Sequence, residues 1–479
     1  MAWPDPLRNS TRTITAHVLI LTLPAQGHVA PTMKLAYRLA DLGVKVTFLT
    51  AECTFDQLVS QQSRNKDALP KIQGGPYQER VKTVFFPDGL KSTELDERRD
   101  TVKFLERIAK VMPYHVEEFI KKANQPESEK DEKITCVIAD LVVAWALEIA
   151  NKMGLKGAIF LSSAPGIVSM VLQIPHLIEA GIIDAEGTPK KKEKVMLSPY
   201  LPALSSDDYV WNFPGNKELQ KVGFEFVRSG EPFLRTSNWV LCNWYRDLDP
   251  SADGLLPTTL SIGPLLANDR PSGNMFSEDL TCLSWLDRQP PGSVVYVSFG
   301  STGTFNSHQF DELALGLQLV GRPFLWVVRP DISHEVDSAT DGLRNRGADD
   351  HQLGKIVQWA PQEKVLAHPS VGCFLTHCGW NSTVEGISMG VPLLCWPHMG
   401  DQFYVRTCIC DGWKVGLELK PNEDGIFTRH EIKSKVDELL INGGIRENAL
   451  KIKRLAQMSL SKGGFSSKNL EQFVAELVL

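Results

Sequence analysis

The 479-residue chain has no CxxC pair, no excess of basic charge and no long apolar run. Its nine cysteines are odd in number and scattered, and the tightest pair, Cys408 and Cys410, is only two residues apart. That pattern argues against a zinc site and fits reduced thiols better than a disulfide framework, so no metal is expected. With 51 basic against 57 acidic residues, net charge −6 and pI near 6.0, nothing points to nucleic acid or an anionic membrane as a partner. No stretch reaches the ~18 consecutive apolar residues of a membrane span, and no basic segment followed by an apolar core opens the chain. The reading is cytoplasmic. There is no internal repeat and no low-complexity tract. A GxGxxG fingerprint after a strand is also missing: the two candidate turns read PAQGHVAP and GSTGTF. Hydride transfer with a nicotinamide cofactor is thereby disfavoured.

What is present is an ordinary globular composition, 43% apolar and 23% charged, on a chain long enough for two or three domains. Val18–Leu23 reads as an apolar strand. A turn over Ala25–Ala30 follows, and Pro31 stands where a helix would open, with Met33, Ala36, Leu39 and Ala40 at helical spacing before Gly43. Val44, Val46 and Phe48 then alternate as a second strand. Strand, helix, strand with short links implies a parallel sheet and a right-handed crossover. Cys136–Ala139 is a further strand ending at Asp140, and Trp145, Ile149 and Met153 continue as a helix.

The pattern restarts at Ser293–Phe299, a strand leading into the small-residue loop Gly300–Gly303. Ser307 is the expected N-cap of the next helix, Gly321 its stop, and Phe324–Val328 the next strand. Gly372–Thr376 and Pro392–Trp396 are buried strands flanking a helix near Ser382–Met389. These elements predict an α/β protein of two doubly wound, Rossmann-like domains facing across a cleft. Residues 1–250 form the first, 251–273 a Pro-, Asp- and Ser-rich linker, and 274–459 the second. Ligands of such sheets bind at the carboxyl ends of the strands.

The densest chemistry lies in Trp359–Gln402, which spans 44 positions. Trp359 offers a flat ring for stacking on a base. His377–Ser382 opens a helix after a buried strand, a place suited to a diphosphate, and Gly379 lets backbone come close. His377, Asn381 and Ser382 add donors, Glu385 one turn on can accept from ribose hydroxyls, and Asp401 with Gln402 can read sugar hydroxyls. Singly, each reads as a cap, core or surface residue; the combination is what points to a sugar nucleotide. In the first half, His28 of PAQGH lies in a strand-to-helix turn and Asp140 at another strand end, where a carboxylate could fix an imidazole tautomer. Alone, the first is a cap or surface residue and the second a cap or turn former.

The stretch resembles the signature box of the plant secondary-product UDP-dependent glycosyltransferases, family 1 enzymes with the GT-B fold. The matching elements are Trp359, Gln362, His377, Trp380–Ser382, Glu385 and Asp401–Gln402. The resemblance implies roles. Trp359 would stack on uracil and Ala360 meet its edge. Gln362 and Glu385 would hold the ribose. His377, Asn381 and Ser382, with Ser301, would hold the phosphates, and Trp380, Asp401 and Gln402 the sugar, with a bias toward glucose. It also makes His28 the general base, Asp140 its partner and Ser162 a sugar contact, and it packs the last helix, about 460–479, back onto the first domain. His398, Met399 and Gly400 depart from the aromatic residues more often found before Asp401.

The implied reaction is inverting transfer of glucose from UDP-glucose to a hydroxyl of a small lipophilic acceptor of phenolic, flavonoid or terpenoid type, by a monomer without cofactor. The DxD-like pair Asp247 and Asp249 falls in the linker, away from the diphosphate. Two rivals remain: transfer to a carboxyl, amine, thiol or carbon, and a non-catalytic UDP-sugar-binding homologue. The apolar segments Phe85–Leu90, Ile174–Ile182 and Tyr200–Trp211 could line an acceptor pocket or simply be buried loops.

Overall fold

The computed structural model describes residues 16–52, 77, 80–89, 101–191, 193–197, 202–248, 256–268, 270–301, 303, 305–329 and 353–478. Cys53, Leu90, Tyr200, Asp249 and linker residues 251–255, all within the sequence readings above, lie outside them. The chain divides into two compact units, Met1–Phe276 with Gln457–Leu479, and Ser277–Ala456. Among the described residues no helix is long and apolar enough to cross a membrane.

The first unit carries strands β1 His17–Leu21, β2 Lys45–Ala51, β3 Val81–Phe86, β4 Cys136–Asp140, β5 Lys156–Leu161, β6 Trp239–Cys242 and β7 Thr259–Ser261. They pair in parallel in the order β3-β2-β1-β4-β5-β6-β7. Every residue of β1 and β4 is buried, as expected of central strands covered on both faces. In β2 the alternating apolar residues are buried, and so is Thr47 between them, which bonds His17 Nε2 at 2.9 Å. Helices α1 Gln26–Asp41, α2 Thr101–Ala123, α3 Ala146–Lys152, α4 Gly166–Glu179 and α5 Lys217–Thr236 connect these strands.

The second unit carries β8 Val294–Ser298, β9 Phe324–Val327, β10 Gly354–Val357, β11 Val371–Thr376, β12 Leu393–Cys395 and β13 Gly416–Glu418, parallel in the order β10-β9-β8-β11-β12-β13. Its helices include α6 Thr281–Leu286, α7 Ser307–Val320, α8 Gln362–Leu366, α9 Trp380–Met389, α10 Gln402–Thr407 and α11 Arg429–Ile441. The cap of α7 is Asn306, not Ser307: the Asn306 side chain accepts from Gln309 N at 2.8 Å.

After α12 Gly443–Leu460, α13 Phe465–Leu477 joins the core of the first unit through Leu470, Phe473, Val474 and Leu477. The Phe473 ring meets Trp239 of β6 edge-on at 5.1 Å. Trp239 Nε1 donates to Glu476 Oε2 at 2.6 Å, and Lys156 Nζ to the Glu476 carbonyl at 2.7 Å. The 3–4 spacing of those apolar residues makes one stripe, and the sheet face buries it.

Candidate active site

Sheet order locates both clusters. In the first unit the order reverses between β1 and β4, and in the second between β8 and β11. Loops at such reversals diverge and leave a crevice at the carboxyl ends of the strands.

His28 follows β1, but not in a turn. The helix starts at Gln26, so His28 sits in the first turn of α1 and Pro31 falls inside the helix. The first turn closes early, with His28 N and Val29 N both bonded to Ala25 O at 2.9 and 2.8 Å. Thr32 Oγ1 also donates to the His28 carbonyl at 2.6 Å. Pro31 therefore stands past the first turn, where it has no amide to give the i−4 carbonyl and costs the helix one hydrogen bond.

His28 Nδ1 bonds Asp140 Oδ2 at 2.7 Å. The imidazole is 29% exposed and the carboxylate 2%, so the ring can reach a ligand that the aspartate cannot. Nδ1–H donation to a carboxylate places the basic lone pair on Nε2. Asp140 also serves locally, since Oδ1 accepts from Val142 N at 3.1 Å and caps the 3-10 turn Leu141–Val143. Burial alone would raise the carboxyl pKa. The His28 charge, with hydrogen bonds from His28, Val142 N and Ser162, outweighs it and holds the pKa below the usual aspartate value.

Ser162, which the resemblance makes a sugar contact, lies against this pair. Its hydroxyl donates to Asp140 Oδ2 at 2.8 Å and stands 3.2 Å from His28 Nδ1. With the proton directed to Asp140, the oxygen has only lone pairs to offer a ligand.

In the second unit Gln362, the first residue of α8, organises a network. Its Nε2 donates to Ser382 Oγ and to Glu385 Oε2, each at 2.8 Å, and its Oε1 accepts from Tyr296 OH at 3.0 Å. Both amide protons are thus engaged within the protein. Glu385, 8% exposed, is the carboxylate oriented by that bond. Tyr296 was not singled out from sequence, because a tyrosine within VVYVS reads as ordinary strand core.

His377 follows β11, and the chain turns there through Cys378 at φ 65°, a left-handed conformation rare outside glycine. Gly379 caps α9 with extended backbone, so Trp380, Asn381 and Ser382 form the first helical turn. The imidazole is clasped by two glycines: a Cβ would lie 2.7 Å from the ring at Gly300 and 2.3 Å from Nε2 at Gly379. Burial, followed by the neighbouring His398 and Arg329, drives the His377 pKa down to about 3. The ring is neutral at ordinary pH, a donor rather than a cation.

Gln402 opens α10, and its Oε1 accepts from His398 N at 2.8 Å and Met399 N at 3.2 Å. Its amide protons therefore point away from that loop. Asp401 precedes the helix without a side-chain cap bond, which removes the bland reading of it as a cap. Trp359 is half-buried, with its carbonyl accepting from Asp279 N at 2.9 Å, and Ala360 is buried. Trp380 packs 6.3 Å from Trp413.

Of the candidate acceptor segments, Tyr209 and Trp211 are core. Trp211 stacks at 5.0 Å on Tyr209, meets Phe224 edge-on and donates from Nε1 to Gly187 O at 2.9 Å.

Comparison with known proteins identifies the family. A family model described as UDP-glucoronosyl and UDP-glucosyl transferase matches residues 254–458. UDP-glycosyltransferase 83A1 of Arabidopsis thaliana is 37% identical over 466 residues, 96% of each chain. Gallate 1-beta-glucosyltransferase 84A24 of Punica granatum is 31% identical over 96% of this chain and 88% of its own. The crystal structure of Os79 from O. sativa in complex with UDP superposes with TM-score 0.77 at 26% identity, covering 96% of this chain and all of that one.

Proposed function

This chain belongs to the UDP-glucuronosyl and UDP-glucosyl transferase family, as a plant-type UDP-sugar-dependent glycosyltransferase of GT-B fold, and from that premise we propose that it moves glucose from UDP-glucose to a hydroxyl of a small lipophilic acceptor. The observation that carries this reading is the Asp140–His28 pair, which has its tautomer fixed and its ring accessible. The acceptor hydroxyl loses its proton to His28 Nε2 as its oxygen attacks the anomeric carbon. Asp140 holds the imidazolium that results. UDP leaves from the opposite face, so the α-linked donor gives a β-glucoside. The charge arriving on the diphosphate is met by the amides that open α9, with His377, Asn381, Ser382 and Ser301 beside them. Trp359 and Ala360 take the uracil, Glu385 the ribose, and Trp380, Asp401 and Gln402 the sugar.

Incubation of the purified protein with UDP-glucose and a library of phenols, alcohols and acids tests this. The expected product is one hexose heavier, with a β-anomeric proton by NMR. His28→Ala lowers turnover of hydroxyl acceptors by about 10²–10⁴-fold. UDP-glucose bound without turnover of any acceptor refutes the proposal and leaves a sugar-nucleotide-binding homologue.

A second acceptor class is favoured by two relatives named for gallate and cinnamate, both aromatic carboxylates. A carboxylate needs no base to become a nucleophile. If it is the true acceptor, His28→Ala costs less than ten-fold.

A further inference from the structure

We propose that Arg329 is a positioning residue that shapes the loop after β8 into a strap for the donor's diphosphate; the proposal rests on the transferase reading above. Arg329 lies two residues beyond β9 and is 4% exposed. Its Nη1 donates to two carbonyl oxygens of one loop, Gly300 O and Gly303 O, each at 3.0 Å. A single terminal nitrogen of the guanidinium thus ties both ends of the segment that holds Ser301.

The geometry fixes what faces outward. In a trans peptide the C=O and the following N–H point in opposite directions. With the Gly300 oxygen drawn to Arg329, the N–H of Ser301 is turned to the far side of the loop. Gly300 supplies the left-handed φ of 66° that the turn requires, and its bare Cα lies against the His377 ring. Arginine, loop and imidazole are therefore one assembly. Amides aimed from such a turn form an anion-binding concavity.

Charge gives Arg329 a second part in the same task. His377 is held neutral, with its pKa at about 3, and Arg329 contributes to that depression. Of the two groups, the fixed positive charge is the guanidinium, one layer behind the loop. Its charge adds to the field that the diphosphate meets.

Uridine and UDP share base and ribose and differ in the diphosphate, so the ratio of their affinities reads the diphosphate site to which this strap belongs. In calorimetric titrations, Arg329→Gln weakens UDP about ten-fold or more and uridine less than two-fold, and Arg329→Lys falls between wild type and Gln. Ser301→Pro, which deletes the amide Arg329 aims, gives the same selective loss, and the two changes together weaken UDP by less than the product of their separate losses. Should Arg329→Gln fail to fold by thermal melt, Arg329→Lys and Ser301→Pro decide by the same ratio. Equal loss of UDP and uridine, or unchanged UDP affinity in the arginine variants, overturns the assignment while wild-type turnover of UDP-glucose stands. A wild-type protein that binds neither ligand overturns the transferase reading itself.

Discussion

Asp140 performs two functions with its two oxygens: one caps a turn, and the other holds His28 and Ser162. Asp140→Asn presents an N–H to His28 Nδ1, which must then accept, and the ring proton moves to Nε2. The base is lost although the fold is kept. We expect kcat for hydroxyl acceptors to fall by about 10²–10⁴-fold with KM for UDP-glucose within two-fold; steady-state kinetics within three-fold of wild type would sink the role. Ser162→Ala removes a bond to a charged group and should cost ten-fold or less. Asp140 was marked in the sequence by the apolar strand it ends, and His28 by the PAQGH segment that follows the first strand. The placement of Ser162 was not legible, since Ser162 and Ser163 are adjacent and only backbone direction decides which of them faces Asp140. Tyr296 and Arg329 left no signal either, because each acts through another residue from within or just beyond a buried strand.

At the scale of the element, the informative object is α9 with the turn before it. The Gly379 cap and Cys378 in left-handed backbone aim the helix's opening amides, and the His377 ring fills the space a Cβ would need. Gly379→Ala puts a methyl 2.3 Å from Nε2, so the ring or the cap must shift. Isothermal titration should show UDP bound at least about ten-fold more weakly, with helix content by circular dichroism unchanged. An unaltered Kd would mean that the cap has no part in holding the diphosphate. The existence of strands and helices was readable from periodicity, whereas helix starts were displaced: α1 begins at Gln26 rather than at Pro31, and α9 at Trp380 rather than near Ser382. A start is set by which carbonyl the first amides reach, and a pattern of apolar residues does not encode it.

Across the whole molecule, buried histidines tie stability to pH. His377 is held at about 3 and His398 at about 4, both chiefly by burial, and His17 is lowered by burial despite its hydrogen bond to Glu132 O. His377 and His398 stay neutral in the folded chain well below the pH, near 6.5, at which the unfolded chain protonates, and His17 is shifted in the same direction. Their contribution is therefore complete above that pH and is lost as pH falls from about 6.5 toward 4. His377 and His398 each add up to about 1.4 kcal/mol per pH unit in that window. Urea midpoints should drop steeply between pH 6.5 and 4.5, and His398→Gln should flatten the slope by one histidine's share; a midpoint constant across that range would contradict the account. The docking of α13 beside β6 bears on how the chain is made. A ribosome delivers all of the contiguous second unit before it delivers the thirteen residues that cover Trp239. The unit begun first is thus the last to close, and its unsealed flank must survive the synthesis of the other.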